Sequence, residues 1–447
     1  MIPDTLMDRL IYNIVLHTIA APFLAAYYLP RVALGHKYRH SLGGKLGYLP
    51  REFVPERIPG PRIWFHAVSV GEVVALGPLI RAMKDLEARA SAIVSTGTET
   101  GQAKARESIP ESQGFFYLPL DFPACVNPVV QRIRPELFVL METELWPNLI
   151  HGLKSAGSAI ALANGRISDR SFPRYRRLKR LFSSTLARID LFLMASEIDA
   201  ERIEAMGAAR DRIHVTGNTK FDAALGRVPV EAEDRIREMF DLHAGSRVLV
   251  AGSTHPGEHE VVLDAYNALK DTYPDLILIL VPRHAEKTHL ILDAMKDRHM
   301  PSPLLRSAVD NGDKRNDRQV VIVDRTGELF QVFSVASAVF IGGSLVPKGG
   351  QNILEPAAWG KVVLFGPSME DFREARDILV AAGAGIQVSG VGDLTHQLER
   401  IMSDPESAAA RGETGRKAIL KHVGSARRNA EMLAGLLKTV SRNQERS

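Results

Sequence analysis

The sequence has few of the features that define several common classes of protein. Its 447 residues include one cysteine, Cys125, which excludes an intramolecular disulfide or a multi-cysteine metal site and is typical of a reducing compartment. The net charge is only +4, so overall charge does not indicate a nucleic-acid partner. No G-x-G-x-x-G follows a predicted strand, and no G-x-x-x-x-G-K-[ST] or Asp-x-Asp motif occurs, which disfavours a nicotinamide, P-loop or metal–diphosphate site.

Polar residues are scarce between positions 10 and 29, near the amino terminus. This segment is apolar apart from Asn13, His17 and Thr18, and it contains Pro22. About 20 apolar residues suffice to cross a bilayer, and the basic bias of the following loop places the next domain on the cytoplasmic side. We therefore expect membrane attachment, by a spanning helix or by a hairpin or helix that lies on the membrane; the alternative is a helix packed on the protein. The basic residues that follow are Arg31, Lys37, Arg39, Lys45, Arg51 and Arg57, against Glu52 and Glu56.

From residue 62 onward, short apolar runs alternate with segments of helical periodicity. This alternation predicts an α/β fold with parallel sheets that are covered by helices on both faces. It weakens between residues 221 and 246, around Pro229, so two doubly wound units are expected. The predicted strands are 63–68, 92–95, 137–141, 159–163 and 191–195 in the first unit, and 248–251, 276–281, 320–323, 338–341 and 362–365 in the second. The predicted boundaries are 1–30 for the membrane segment, 31–220 and 247–430 for the domains, 221–246 for the linker and 431–447 for a polar tail.

Polar side chains follow the predicted strands of the first unit. Glu72 comes after strand 63–68 at the start of a helix, where it would serve equally well as a capping carboxylate. Glu142 and Glu144 emerge from a buried apolar strand, a costly arrangement that often marks function. After strand 159–163, a basic run indicates an anion-binding or phospholipid-binding face in preference to a solvated helix side. Its members are Arg166, Arg170, Arg174, Arg176, Arg177, Lys179 and Arg180, with the single acid Asp169.

A glycine-rich turn follows strand 338–341 of the second unit. Two glycine pairs frame Lys348, and the next segment carries Asn352 and Glu355, three residues apart. A strand, a glycine turn and a helix start direct backbone N–H groups at one spot, which favours a phosphate there, and Glu355 suits a ribose diol. The alternative is an ordinary βα turn capped by Asn352 and Glu355. Three further basic side chains follow neighbouring strands: His255, Arg283 and His284. The two histidines suit a ligand or acid–base role and a structural role equally well.

One unit is thus suited to a nucleotide phosphate, and the other presents carboxylates and a basic face beside a membrane segment. This combination predicts transfer of a group from a nucleotide donor to an anionic, lipid-linked acceptor. Seven short motifs, in order along the chain, also closely resemble those of the Kdo transferases of lipid A biosynthesis, which are membrane-associated glycosyltransferases of the GT-B architecture. The motifs are residues 66–72, 95–98, 141–148, 164–168, 216–222, 281–284 and 342–356.

The resemblance implies two Rossmann-like domains and the transfer of Kdo (3-deoxy-D-manno-octulosonic acid) from CMP-Kdo to a hydroxyl of a tetra-acylated lipid A precursor. Transfer would proceed with inversion and without a metal or other cofactor. By resemblance, Glu72 is the general base that takes the acceptor proton, and Glu142 and Lys220 stabilise the transition state. Two departures from the family pattern, Gly165 and Thr219, remove no charged group.

The resemblance also distributes the binding residues over the two units. The expected donor-binding residues are Pro282, Arg283, Gly327, Glu328, Leu329, Gly342, Gly343, Ser344, Asn352, Ile353, Leu354 and Glu355. The expected acceptor-binding residues are Ser69, Thr98 and Arg166. The expected partners are CMP-Kdo, the lipid A precursor and the cytoplasmic face of the inner membrane, without nucleic acid. Two alternatives remain: a GT-B transferase for another nucleotide sugar and lipid acceptor, and a non-catalytic, membrane-tethered nucleotide-binding protein.

Overall fold

A computed structural model describes residues 4–33, 39–169, 171–226, 228, 231–243 and 245–444 of the chain. The chain divides into two compact units, Met1–Ala223 together with Val423–Ser447, and Ala224–His422. Three residues of the predictions above, Lys37, Arg170 and Pro229, lie outside the described residues. The second unit is therefore built from one continuous stretch, and the first from two.

A seven-stranded sheet forms the centre of the first unit. Its strands are β1 (Arg62–Ala67), β2 (Ser91–Thr96), β3 (Phe115–Tyr117), β4 (Leu137–Met141), β5 (Ala159–Gly165), β6 (Leu191–Met194) and β7 (Ile213–Val215). The strand order is β3-β2-β1-β4-β5-β6-β7, and every pairing is parallel. The strand order reverses between β1 and β4, so the residues that follow these two strands come together at the carboxyl edge, where α/β proteins bind ligands.

The second unit repeats this design. Its strands are β8 (Arg247–Thr254), β9 (Leu276–Pro282), β10 (Leu304–Leu305), β11 (Val320–Ile322), β12 (Ala338–Ile341), β13 (Val363–Phe365) and β14 (Gly385–Gln387). They pair in parallel in the order β10-β11-β9-β8-β12-β13-β14. The reversal lies between β8 and β12, which brings the glycine-rich turn after β12 next to the residues after β8. The predicted α/β fold with two parallel sheets is thus confirmed.

Helices cover the sheets, as the continuous burial of the central strands requires. In the first unit they are α1 (Asp4–Val15), α2 (Ala21–Ala33), α3 (Arg39–Lys45), α4 (Val70–Leu86), α5 (Glu99–Ser108), α6 (Pro123–Ile133), α7 (Pro147–Ser155), α8 (Phe172–Arg177), α9 (Lys179–Leu186), α10 (Glu197–Met206) and α11 (Thr219–Leu225). In the second unit they are α12 (Ala232–Met239), α13 (Glu258–Leu269), α14 (Thr288–Asp297), α15 (Arg306–Val309), α16 (Leu329–Val332), α17 (Leu354–Ala358), α18 (Arg373–Ala381), α19 (Val391–Ser403) and α20 (Pro405–Leu420).

The last helix, α21 (Ser425–Gln444), corrects the predicted boundaries at the carboxyl end. Residues 423–430 were expected in the second domain and 431–447 as a polar tail, yet the stretch Val423–Ser447 belongs to the first unit. The physical reason is an apolar stripe at helical spacing, Ala430, Leu433, Ala434 and Leu437, which is buried in a core shared with α4 and the first sheet. The carboxylate of Asp222 fixes the position of the beginning of this helix by accepting the Gly424 N–H at 2.8 Å.

The amino-terminal segment is helical from α1 through α2, with a π-helical turn at Leu16–Ala20 between them. Pro22 follows that turn and has no N–H to donate to the preceding turn, which is a common reason for such a local change of register. Residues Met7–Ala33 are long and apolar enough to cross a membrane, by length and composition. Their apolar side chains are largely exposed in the structure.

Candidate active site

Glu72 lies at the beginning of α4, beside its N-cap residue Ser69. The Ser69 hydroxyl accepts the Glu72 N–H and also donates to Glu72 Oε1 at 2.9 Å, and the Val68 N–H donates to Glu72 Oε2 at 2.8 Å. The carboxylate therefore has the capping arrangement that the sequence left open. The same contacts fix the orientation of a side chain that is 8% exposed. Capping and chemistry are thus compatible at this position.

The surroundings of Glu72 change its acidity. Burial is the largest cause and raises the pKa of this carboxyl to about 7, helped by the nearby carboxylates of Glu142 and Glu144. The two hydrogen bonds, from the Val68 N–H and the Ser69 hydroxyl, act in the opposite direction because they stabilise the ionised form. A carboxyl with a pKa near the working pH is well matched to take up and release a proton.

Glu142 follows β4 directly and has a left-handed backbone, with φ of 57°. This conformation is uncommon for a residue with a side chain and marks a place where the surrounding structure holds strain. Burial alone would raise the pKa of Glu142, but the positive charges of Lys220 and Arg166 outweigh it and lower the pKa. Lys220 Nζ lies 2.8 Å from Glu142 Oε1. Glu142 is therefore held as an anion in an ion pair, unlike Glu72.

Asn164 positions Lys220, a role that the sequence did not reveal. This buried residue follows the same left-handed pattern, with φ of 53°, and its Oδ1 accepts the Thr219 N–H at 2.9 Å. Thr219 begins α11, which carries Lys220, and the Lys220 N–H donates to Asn218 Oδ1 at 3.0 Å. The end of β5 is thus joined to the helix that delivers the lysine to Glu142.

The predicted acceptor residues lie at the carboxyl edge of the same sheet. Thr98 is the N-cap of α5: its hydroxyl accepts the Gly101 N–H at 3.0 Å and donates to the Val68 carbonyl, next to Ser69. Arg166 follows β5 and is close enough to Glu142 to lower its pKa, and its carbonyl accepts from the Thr143 hydroxyl. The structure therefore brings Ser69, Glu72, Glu142 and Arg166 into one region.

The turn after β12 directs its N–H groups at one spot, as predicted, but that spot is occupied by a carboxylate of the protein. Glu258, at the start of α13, is fully buried and accepts the N–H groups of Gly343 at 2.7 Å, Leu345 at 2.9 Å, Ser344 at 3.0 Å and His255 at 3.0 Å. These N–H groups already have a partner, so the expectation that they hold a phosphate is not met in this arrangement. Glu258 was not among the predicted residues.

Several other predicted donor residues have local structural roles in the second unit. Asn352 Oδ1 accepts the N–H of Leu354, the first residue of the short helix α17, at 3.1 Å, while the Ile353 and Leu354 side chains are buried. Gly327 has φ of 94°, a conformation that favours glycine. Glu328 Oε2 accepts from Arg306 Nε at 2.9 Å and is thereby engaged in an ion pair.

Basic side chains gather at the carboxyl ends of β8, β9 and β12. The rings of His255 and His284 lie 5.9 Å apart, edge to face. Burial lowers the pKa of His255, Glu258 acts against this, and the positive charges of Lys348 and Arg283 add to the lowering. His255 Nε2 is buried and has no hydrogen-bond partner among the described residues. This cluster is suited to an anionic ligand.

Metal ligands are not grouped at either edge. The described part of the chain contains no set of three or more His, Cys, Asp or Glu side chains that could hold a metal ion. The charged groups found at these edges are the Glu142–Lys220 ion pair in the first unit and the basic cluster in the second.

Comparison with known proteins identifies the same family that the sequence motifs resemble. Residues 40–223 match the family described as 3-deoxy-D-manno-octulosonic-acid transferase (kdotransferase). The chain is 31% identical to the 3-deoxy-D-manno-octulosonic acid transferase of Haemophilus influenzae over 403 residues, which cover 90% of this chain and 92% of that protein. It is also 31% identical to the enzyme of the same name from Chlamydia pneumoniae, with 87% of each chain covered.

Solved structures support the architecture. A UDP-GlcNAc 2-epimerase from Neisseria meningitidis is 14% identical, with a TM-score of 0.58 over 85% of this chain and 100% of that chain. A glycosyltransferase from Rickettsia africae is also 14% identical, with a TM-score of 0.55 over 85% and 99%. These likenesses bear on the fold and confirm the GT-B-like arrangement of two parallel-sheet units. The relatives above show that the chain belongs to the Kdo transferase family and is a glycosyltransferase that transfers Kdo in lipopolysaccharide synthesis.

Proposed function

We propose that this enzyme transfers Kdo from CMP-Kdo to a hydroxyl of a tetra-acylated lipid A precursor, with inversion and without a metal ion. The observation that carries the proposal is the Glu72 carboxyl, which is oriented by Val68 and Ser69 and has its pKa raised to about 7. A protein that only bound a nucleotide would not require a carboxyl held in this state.

In the proposed step, the acceptor hydroxyl oxygen forms a bond to the anomeric carbon of Kdo while the bond from that carbon to the CMP phosphate oxygen breaks. The electron pair of the broken bond leaves with CMP, and the hydroxyl proton passes to Glu72. Attack on the face opposite to CMP inverts the anomeric configuration. Glu72 is suited to this role because a base with a pKa near 7 is partly ionised at neutral pH and still takes a proton readily.

Charge develops on both the sugar and the leaving CMP during this step. We assign its stabilisation to Glu142 and Lys220, which form a preorganised ion pair on a strained backbone position. Ser69, Thr98 and Arg166 are assigned to the acceptor, because they lie at the same edge of the sheet as Glu72. Arg166 and the basic residues of α8 and α9 suit the phosphates of a lipid A precursor.

The donor is assigned to the second unit. Arg283, His255 and Lys348 are proposed to bind its anionic groups, because they form a basic cluster with a buried, unpartnered His255 Nε2 in the described part of the chain. The other residues that we propose for the donor are Pro282, His284, Gly327, Glu328, Leu329, Gly342, Gly343, Ser344, Asn352, Ile353, Leu354 and Glu355. The main-chain N–H groups of Gly343 and Ser344 donate to Glu258, which holds the turn in one shape. We therefore assign these two residues to the shape of the donor site and not to direct hydrogen bonds from their N–H groups.

Attachment to the cytoplasmic face of the inner membrane completes the proposal. The support is the apolar stretch Met7–Ala33, together with the lysine and arginine bias that follows it. A lipid-linked acceptor is reached from such a position without leaving the bilayer.

The test is mass spectrometry of a tetra-acylated lipid A precursor after incubation with the purified protein and freshly generated CMP-Kdo. We expect the mass of the acceptor to increase by one or more Kdo units, also in the presence of EDTA. Product only with a UDP-sugar would favour the GT-B alternative, and CMP binding without product from any donor would favour the non-catalytic one. Loss of product in EDTA would remove the claim of metal independence.

A further inference from the structure

The segment Met7–Ala33 contacts the first unit at separate points from Asp8 to Tyr28. Residues of reduced exposure recur at intervals of three or four, and most of the described residues between them are exposed. We call the residues of reduced exposure the inner face; they are Asp8, Arg9, Tyr12, Asn13, Leu16, Ala20, Ala21, Leu24, Tyr28 and Val32. A helix that crosses a bilayer alone would instead be covered by lipid on all sides.

A group of hydrogen bonds fastens the beginning of the segment; we call it the polar clamp, and it consists of Arg9, Tyr12, Asn13, Asp121 and Asn148. Tyr12 donates to Asp121 Oδ2 at 2.9 Å, and Arg9 Nε donates to Asn148 Oδ1 at 3.2 Å. Asn13 and Asn148 exchange bonds of 2.8 and 3.2 Å. Asp121 and Asn148 are only 3% and 1% exposed. Buried polar groups are costly without partners, so this contact is specific.

Asp121 also links the polar clamp to the loop that contains Glu142. Its two carboxylate oxygens accept the N–H groups of Asn148 at 3.0 Å and Leu149 at 2.8 Å, at the start of α7. The residues just before α7 connect it to β4, which ends at Met141. The membrane segment is thereby joined to the part of the unit that carries the proposed chemistry.

Two further contacts lie at the middle and the end of the segment. The His17 ring meets Phe122 edge to face at 5.1 Å. The Lys45 ammonium lies 5.8 Å from the centre of the Tyr28 ring and donates to the Gly97 carbonyl at 2.9 Å. Residues near both ends of the segment therefore contact the same globular unit, whereas a crossing helix would place Arg9 and Tyr28 roughly 29 Å apart along its axis, on opposite sides of the membrane.

The opposite face of the segment is apolar and exposed. Phe23 is 70% and Ile19 is 67% exposed, and Leu10, Ile11 and Ile14 are each about half exposed. Basic side chains lie near both ends of the segment: Arg180 of α9 lies 3.7 Å from Asp8, and Arg31 stacks over the Tyr27 ring at 3.8 Å. The other basic residues of α8 and α9 are Arg174, Arg176, Arg177 and Lys179. An apolar strip with basic residues near both ends complements a bilayer surface that contains anionic lipid.

We propose that Met7–Ala33 lies along the surface of an anionic bilayer, with its apolar face in the acyl boundary and its inner face fastened to the first unit, and does not cross the membrane. This inference rests on the membrane attachment proposed above. It assigns the inner polar residues to the protein and the outer apolar residues to lipid.

The topology is tested by cysteine labelling in a Cys125→Ser background. Thr5→Cys precedes the apolar segment, and Glu52→Cys is a control whose native side chain is 72% exposed in the first unit. We expect a membrane-impermeant maleimide to label both positions from the cytoplasmic side only, in inside-out vesicles and not in right-side-out ones. Labelling of Thr5→Cys from the periplasmic side alone would overturn the inference and leave the attachment intact. Failure of the protein to float with anionic vesicles would instead overturn the attachment itself.

The polar clamp is tested by hydrogen exchange of vesicle-bound protein. The double variant Tyr12→Phe/Asn13→Leu removes hydrogen bonds to Asp121 and Asn148, and Thr18→Val is the control because its hydroxyl donates only to the Ile14 carbonyl of the same helix. We expect exchange in α1 to rise about tenfold or more in the double variant and to stay unchanged in Thr18→Val. Unchanged exchange in both variants would show that the polar clamp does not hold the helix.

Discussion

Two buried glutamates, one in each unit, show how the same side chain is put to different uses. Glu72 and Glu258 both lie at the start of a helix that follows the first strand of their unit, and both accept backbone N–H groups. Glu258 accepts four N–H groups from two segments. Glu72 accepts one N–H group and one hydroxyl, beside two other carboxylates.

The difference lies in what surrounds each carboxylate. Four N–H donors stabilise the negative charge of Glu258 and hold the glycine-rich turn in one shape. Fewer donors and two like charges keep Glu72 ready to accept a proton, since they disfavour its ionised form. A buried carboxylate is thus structural or reactive according to the number of its donors and the charge of its neighbours. Four experiments test this contrast.

The largest effect is expected from Glu72→Gln. The amide keeps the size of the side chain but cannot take up the acceptor proton, so we expect kcat to fall by about 10²- to 10⁴-fold. The thermal unfolding midpoint is expected to change little. Mass spectrometry of the lipid product gives the rate, and a melting curve controls for folding. Undiminished turnover would remove Glu72 as the base.

Glu258→Gln is expected to act on stability instead. The amide group would face two of the N–H donors that the carboxylate now satisfies, at a cost of about 1–3 kcal/mol for each, or roughly 2–6 kcal/mol in all. We expect a clearly lower midpoint in thermal unfolding and weaker binding of CMP.

Glu260→Gln is the matched control for this substitution. Glu260 lies on the same helix and accepts only the exposed Gly257 N–H. We expect Glu260→Gln to lower the free energy of unfolding by well under half as much as Glu258→Gln. Equal destabilisation by Glu258→Gln and Glu260→Gln would contradict the structural role of Glu258.

The third experiment uses the pH dependence of kcat/KM. In the proposed mechanism Glu72 accepts the proton in its ionised form, so activity is expected to rise with pH through the pKa of about 7 and then to level off. Glu142→Gln and Glu144→Gln each remove a negative charge that raises this pKa, so the rising limb is expected to move to lower pH. The shift is expected to be larger for Glu142→Gln, since Glu142 has the larger influence. A limb that stays in place in both variants would assign the titration to another group.

The smallest effects are expected at two residues that bond to the beginning of a helix, Ser69 and Asn352. Ser69→Ala removes the N-cap of α4, and Asn352→Ala removes a hydrogen bond to the first N–H of α17, each at about 1 kcal/mol of unfolding free energy. Ser69→Ala also removes a hydrogen bond that lowers the pKa of Glu72, so the rising limb of the kcat/KM profile of this variant is expected to move to higher pH. Asn352→Ala is expected to leave the position of that limb unchanged. Urea unfolding gives the loss of stability, and kcat/KM profiles give the position of the rising limb for each variant. A limb that shifts equally in both variants would contradict a specific effect of Ser69 on Glu72.

The regular part of the fold was predictable because buried parallel strands read as apolar runs. β4 and β12 match the predicted ranges 137–141 and 338–341. The strands that were missed, β3, β7, β10 and β14, are two or three residues long and lie at or next to the sheet edges. So short a run gives no periodicity to detect. The apolar stripe of α21 was visible in the sequence, but the unit on which it packs depends on long-range contacts.

The site was predictable where a charged residue follows a strand directly, as with Glu142 and Arg283. It was not predictable where a partner is remote in sequence. Glu258 lies 85 residues before Gly343, and Asn164 lies 55 residues before Thr219. The sequence contains a signal for Glu258, a carboxylate between a strand and a helix: Glu258 comes four residues after β8, and Glu72 comes five residues after β1. Its partner was visible only in the structure.

The return of α21 to the first unit has a consequence for the order in which the protein is made. On the ribosome, the stretch Ala224–His422 emerges complete and in one piece, so the second unit has all its residues before the first one does. The first unit must wait, with the apolar surface that receives Leu433 and Leu437 uncovered, until the last helix has been synthesised. A chain cut short before Ser425 would therefore carry a finished second unit and an open first one.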